Sequence, residues 1–308
     1  MKHLTVQGLE QTVTSLIMGS DYFTPDKQAY VNEVLEGYIR IGGNTVDTAF
    51  IYAGGQSEAA IGNWLDAGNH GRLNIWTKGG HPNENGHTIN RDDIAEQLKI
   101  SLDRLKSDRV ELYALHRDDL TVPVEQIIEW LNEHVEAKRI QAFGASNWTP
   151  ARLAEANAYA LANGLKGFSF SSPNLSLAKA QEPYWAGCVS ADQETISWHE
   201  DSQLPLFSWS SQARGFFTGR FTRDNVENED LVRVFYNDDN WKRYDRAEQL
   251  AKEKGTTRIQ VALAYVLNQG FPSAAIIGPQ NEEEMLSCGE GAKLSLTQEE
   301  VNWLDLRS

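Results

Sequence analysis

Short apolar runs alternate with longer segments of helical period along most of the chain, and this alternation restricts the fold more than any other feature. The strand-like runs lie at 15–18, 45–49, 73–77, 110–115, 140–145, 167–170, 204–209 and 274–277. Several are continuously apolar, β-branched or aromatic, the pattern of strands buried on both faces. Between them, Val31, Val34, Tyr38 and Ile41 recur at helical spacing, as do Ile94, Leu98, Leu102 and Leu105 behind an Asn90 cap. Thr149-Pro150 reads as an N-cap followed by proline at the first helical position. Thr257 with Gln260, and Thr297 with Glu300, have capping-box spacing. Strand and helix in alternation imply parallel strands joined by crossover helices. Eight such strands within 308 residues predict a closed (β/α)8 TIM barrel, one domain over residues 1–308. Two long segments, 171–203 and 212–240, read as elaborated loops on the C-terminal face, the first with a short helix near 192–199.

The formal charge is −15 and no basic run occurs, which excludes the clustered Lys/Arg that phosphate backbones need. No nucleic-acid partner is expected. The two cysteines, Cys188 and Cys288, stand apart from any CxxC pattern, pointing to a reducing compartment. Met1-Lys2-His3-Leu4 shows no leader pattern, and no apolar stretch approaches the ~20 residues of a membrane span. A cytoplasmic protein without membrane contact is expected.

Barrel sites form at the C-terminal ends of the strands. There the sequence sets Asp47 after the second strand with Tyr52 in the following loop, Lys78 after the third and His116 after the fourth. Charged groups at such rims are costly unless paired with one another. A phenol titrates near 10 and is a poor acid at neutral pH. A lysine ammonium beside it is expected to lower that value, an aspartate to keep the ammonium charged, and a histidine to steer a carbonyl oxygen toward the hydroxyl. No Gly-x-Gly-x-x-Gly follows an early strand, so the Rossmann dinucleotide fingerprint is missing.

The ordered set Gly43-Asn44-Thr45-Val46-Asp47-Thr48-Ala49-Phe50-Ile51-Tyr52, Gln56-Ser57-Glu58, Ile61-Gly62, Thr77-Lys78, Leu115-His116, Gly144-Ala145-Ser146-Asn147, Trp209-Ser210-Ser211 and Ile276-Ile277-Gly278-Pro279 resembles the aldo-keto reductase superfamily over nearly the whole chain. The resemblance implies Asp47, Tyr52, Lys78 and His116 as a catalytic tetrad and hydride transfer from an extended nicotinamide cofactor, without a metal. It further implies Ser146, Asn147 and Ser172 at the carboxamide and Trp209 stacked on the nicotinamide ring. Ser210, Gln212 and Gly215 are expected along the cofactor, with Gly278, Gln280 and Glu284 at its adenosine end. The sequence departs from the family where Ser171-Ser172 replaces a usual glutamine and where Cys288 replaces a late asparagine. The opening strand is also compressed, so a hairpin closing the barrel bottom must be short. After Pro279 the run Gln280-Asn281-Glu282-Glu283-Glu284 carries no cation, from which NAD is expected over NADP.

Tyr22, Trp148 and Arg117 are the expected substrate contacts. Nine tryptophans, among them Trp76, Trp148, Trp185, Trp198 and Trp209 at strand ends or in loops, suit either a flat ring or the C–H face of a sugar. Arg117, Arg214 and Asp118 offer polar recognition, and the expected substrate is a small carbonyl or alcohol, an aldehyde, ketone or sugar, with a carbohydrate or polyol favoured. The alternative on the same barrel is a cofactor-sensing regulatory subunit with little turnover. An unrelated barrel hydrolase needs paired catalytic carboxylates, and Asp47 has Lys78 as its partner instead. The sequence fixes no oligomeric state.

Overall fold

The computed structural model describes residues 1–84, 86 and 88–307. Eight parallel strands, Leu16–Gly19, Thr45–Asp47, Asn74–Gly79, Val110–Leu115, Ile140–Ser146, Ser171–Ser172, Leu206–Ser208 and Ser273–Ile277, pair in chain order. The last pairs with the first and closes the barrel. Helices fill the crossovers, with three of them, Glu229–Phe235, Asp238–Lys254 and Arg258–Leu267, between the seventh and eighth strands. The Asn90 and Thr149 caps accept from Asp93 N and Arg152 N, and both threonine capping boxes form. The short helix expected near 192 is Gln193–Ser202, capped by Asp192. Among the described residues no helix is long and apolar enough to cross a membrane.

The sixth strand departs from expectation. Residues 167–170 are not assigned to a strand, which begins instead at Ser171. Only the start of the run is tied by side chains, Asn132 Oδ1 accepting from Lys166 N at 3.0 Å and Asn157 Oδ1 from Phe168 N at 2.7 Å, while Ser169 N donates to Phe143 O at 2.8 Å and Phe170 O accepts from Ala145 N at 3.2 Å. Asparagines on two neighbouring helices thus satisfy backbone groups that strand pairing would otherwise serve.

Side chains alternate across a strand, so every second residue points into the barrel. Ile17, Trp76, Leu112, Ala114, Ala142, Phe170, Phe207 and Ala274 form the interior cluster, while Val46, Ile75, Tyr113 and Leu115 pack outward against helices. Trp76 meets Phe170 edge-on at 5.2 Å, and Phe170 stacks on Phe207 at 4.7 Å. Trp76 therefore fills the interior and is no part of an aromatic substrate wall. Gly144 is required beside this layer, because a Cβ there would lie 2.5 Å from the Phe170 ring. A two-residue hairpin, His3–Leu4 with Val13–Thr14, closes the bottom, adding Leu4, Val6 and Val13 to the interior cluster. The opposite end stays polar, and the site lies there.

Candidate active site

Continuing the inward rows by one step places the polar residues. Asp47 follows Thr45, Lys78 follows Trp76, and His116 follows Leu112 and Ala114, each at the C-terminal end of its strand. Lys78 lies over the Trp76 ring at 4.6 Å, so the aromatic layer is its floor. Its ammonium donates to the Asp47 carboxylate, to Thr48 O at 2.9 Å and to Tyr52 Oη at 3.0 Å. An ammonium has three protons, and all three are committed. The Tyr52 oxygen accepts one of them, which leaves its own O–H free to donate elsewhere. His116 meets the Tyr52 ring edge-on at 5.7 Å, and its buried Nδ1 has no hydrogen-bond partner among the described residues.

Burial dominates the electrostatics. The Asp47 and Lys78 side chains are 4% and 3% exposed. Burial pushes the Asp47 carboxyl up to about 6, with Lys78 opposing the rise. Burial lowers the Lys78 ammonium and, helped by the charges of Lys78 and Arg117, holds the His116 imidazole well below its ordinary range and neutral. The Tyr52 phenol is raised well above 10 by burial and by the charges of Asp47 and Asp21. The expected depression by Lys78 is not found, because Asp47 cancels much of the ammonium's field while desolvation acts on the phenolate undiminished. The phenol stays protonated at neutral pH.

A serine that sequence reading left without a role holds the loops behind this group. Ser57 Oγ lies 2.8 Å from both Ser20 Oγ and Thr48 Oγ1 and donates to Ser20 O, while Ser20 Oγ donates to the Asp47 carbonyl at 2.7 Å. Its position in Gln56-Ser57-Glu58, five residues after Tyr52, was the available signal.

The expected carboxamide contacts are brought together at the ends of the fifth and sixth strands. Ser146 Oγ donates to Ser172 O at 2.9 Å, and Asn147, in the left-handed region at φ 62°, donates to His116 O and Ser146 Oγ. Asn147 also accepts from Val189 N. Ser172 Oγ and Trp209 Nε1, both buried, have no hydrogen-bond partner among the described residues. Orphaned buried polar atoms cost free energy unless something satisfies them. Two such atoms at the ends of adjacent strands, one of them on a half-buried indole, fit a flat amide-bearing ring. Ser210, at φ 48°, and Gly215, at φ 85°, shape the turn that carries Gln212. Cys288 is buried with its thiol 3.9 Å from Gln212 Oε1.

At the far end Gly278 and Gln280 are exposed, and Gln280 N donates to Glu284 Oε2 at 2.9 Å. Folding brings two cations to this acidic run: Arg220 pairs with Glu284 at 2.8 Å, and Arg40 approaches Glu282 at 3.7 Å.

The three expected substrate contacts are engaged elsewhere. Tyr22 donates its hydroxyl to Pro279 O at 2.9 Å. Arg117 is buried, donating to His116 O, Ala186 O and Cys188 Sγ, so it pins the 184–188 loop. Trp148 is buried against Phe168, with Nε1 donating to Arg117 O. Asp118 is likewise spent on Arg152. The mouth presents other groups. Trp185, 48% exposed, lies 5.9 Å from Trp209, and Arg214 sits over Tyr184 and Trp185 at 4.8 and 5.3 Å. His81 packs against His116 at 5.1 Å, and exposed Asp21 follows the first barrel strand by two residues.

Comparison with known proteins agrees with this geometry. The chain is 26% identical to the uncharacterized oxidoreductase YrpG of Bacillus subtilis (strain 168), over 95% of this chain and 91% of that one. It is 27% identical to norsolorinic acid reductase of Aspergillus flavus, over 90% and 71%, and 26% identical to a probable voltage-gated potassium channel subunit beta of Oryza sativa subsp. japonica, over 80% and 76%. The fold matches a solved thermostable aldo-keto reductase, Tm1743, with TM-score 0.77 at 20% identity over the full length of both chains. The family model described as the aldo/keto reductase family matches residues 15–306, and the chain belongs to that family.

Proposed function

We propose that this oxidoreductase reduces a small carbonyl compound at the expense of a nicotinamide cofactor, or runs the reverse reaction, with Tyr52 as general acid and base. The cofactor, when bound, supplies the hydride that the carbonyl carbon accepts. The observation that carries the reading is the exhausted donor set of Lys78, which turns the Tyr52 proton away from the lysine. Tyr52 then donates that proton to the carbonyl oxygen. Lys78 stabilises the phenolate as it forms, and Asp47 holds Lys78 charged and aimed. Neutral His116 orients the oxygen without competing as an acid. Ser172 and Trp209 are the groups that would hold the carboxamide and the ring.

The substrate we favour is a polyhydroxylated carbonyl compound of sugar type. Trp185 offers an exposed indole to C–H faces, Arg214 lies over it as a polar group, and Asp21 carries its charge toward Tyr52, taking the roles expected of Arg117 and Asp118. The expected preference for NADH loses its support, since the cation missing from the 280–284 run arrives as Arg220. We therefore favour NADPH. The likeness to a channel β subunit keeps a cofactor-sensing role as the second reading. Titration of intrinsic fluorescence with NADPH and NADH, then turnover on paired aldehydes and aldoses, tests all of this. Tight cofactor binding with no turnover on any carbonyl favours the sensor.

A further inference from the structure

Gln56-Ser57-Glu58 opens the helix Gln56–Trp64, and its glutamate is fully buried, with a side chain 0% exposed. Glu58 accepts from the Thr77 hydroxyl at 2.5 Å through one oxygen and from Arg104 at 3.0 Å through the other. Thr77 immediately precedes Lys78. Arg104, on the helix Arg91–Leu105, donates from the same nitrogen to Phe50 O at 2.8 Å and lies 4.6 Å over the Phe50 ring. Phe50 precedes Tyr52 by two residues, and its own N–H donates to Lys78 O at 2.9 Å. One ion pair therefore touches both the segment that carries the phenol and the strand that carries the ammonium.

The loop needs such a hold. Ala53, Gly54 and Gly55 follow Tyr52 at φ 49°, 64° and 89°, a left-handed run that is unfavourable for alanine. At Gly55 a Cβ would lie 2.3 Å from Arg104 Cζ, so the guanidinium fills the space under the turn. A Cβ at Gly62 would meet Arg104 O at 2.1 Å, which brings the two helices into backbone contact at this point.

We propose that Arg104 and Glu58 are positioning residues for the Tyr52–Lys78 contact, a clamp that sets the phenol-to-ammonium distance without touching substrate or cofactor. The proposal rests on Tyr52 being the proton donor. A buried ion pair contributes little net stability when both partners are replaced together, whereas removing one strands the other charge. The informative variant is accordingly the double one, Arg104→Met with Glu58→Gln, which keeps an acceptor for Thr77 and strands no charge.

The clamp predicts that this variant folds, binds NADPH with a Kd within about twofold of wild type, keeps KM, and loses about 10- to 100-fold in kcat, the scale of a misplaced reacting group. Arg104→Lys recovers part of that loss. On a Tyr52→Phe background the same pair of substitutions costs less than about twofold more, because both act through one contact. A folded double variant with wild-type kcat overturns the clamp, as does a loss that multiplies with that of Tyr52→Phe. If the double variant does not fold, Arg104→Lys is read alone, and wild-type kcat there overturns the clamp. Full turnover by Tyr52→Phe itself overturns the reading of the site, and the clamp falls with it.

Discussion

The tetrad and the 278–284 segment hold their charges in opposite ways. At the tetrad Asp47 and Lys78 are sealed from water, and every ammonium proton has a protein acceptor. At the 278–284 segment Arg220 and Glu284 are 71% and 34% exposed, a pair joined by one contact. Breaking a buried pair from one side costs roughly 3–5 kcal/mol, while an exposed pair is worth about 0–1 kcal/mol. The first arrangement is fixed before any substrate arrives. The second is exchangeable, and a pair so weakly held can give its cation to a ligand phosphate.

The largest effect should come from the fixed end. Tyr52→Phe keeps the ring and its contact with His116 and loses only the proton. We expect kcat to fall by about 10²–10⁴-fold, the usual contribution of a general acid, with the cofactor Kd nearly unchanged. Steady-state rates and a fluorescence titration read the two separately. Turnover close to wild type would remove Tyr52 from the chemistry.

A pH profile sharpens the same contrast. The Asp47 carboxyl is raised from 3.8 to about 6 by burial, so the folded protein holds that proton more tightly than the unfolded chain. Stability from this group is full below 3.8 and is lost as pH rises through about 6. Activity runs the other way, because only ionised Asp47 keeps Lys78 charged beside Tyr52. The rate kcat/KM should decline as pH falls below about 6, and Asp47→Asn should abolish that limb along with most of the rate. An acidic limb that persists in Asp47→Asn points to another group.

What the sequence made legible follows from this difference. Asp47, Lys78 and His116 are local consequences of period-two alternation, each one step beyond an inward row that ends in Thr45, Trp76 or Ala114. Tyr52 and its lysine, 26 residues apart, are named by two short segments of one ordered set. Arg220 and Arg40 are 64 and 242 residues from the glutamates they meet, and no short window joins them. Asn132 and Asn157 lie 34 and 11 residues from the backbone groups they serve before the sixth strand, and no strand pattern reports such side-chain partners. Trp148 and Arg117 are bound into the protein for a different reason. They stand just beyond strand ends, where the site is, but the left-handed turn at Asn147 breaks the alternation and sends Trp148 outward against Phe168, and Arg117 has backbone acceptors within reach.

Trp209 belongs to neither extreme, since its ring is half-buried while its Nε1 is buried and unpartnered. Trp209→Ala should weaken cofactor binding roughly three- to tenfold, from an aromatic stack worth ~0.5–1.5 kcal/mol, and alter kcat less. Equal cofactor affinity in a folded variant returns the indole to packing duty against Trp185.

The smallest effect tests the exchangeable end. Arg220→Gln removes a cation whose ion-pair partner among the described residues is Glu284, on a loop where substitution should leave the melting temperature unchanged. If Arg220 gives up Glu284 for the 2′-phosphate, the variant loses about tenfold in NADPH affinity, equivalent to ~1.4 kcal/mol, and NADH affinity stays within about twofold. Glu284→Gln should do the converse, freeing Arg220 and removing a repelling carboxylate, so NADPH tightens while NADH does not. Gln280→Arg, placing a second cation beside the first, should add to NADPH affinity again. Parallel titrations of the four proteins with both cofactors give the ratio directly. Tighter NADH than NADPH in wild type, unchanged by Arg220→Gln, shows that the glutamates of the 282–284 run decide the choice and that Arg220 only caps them.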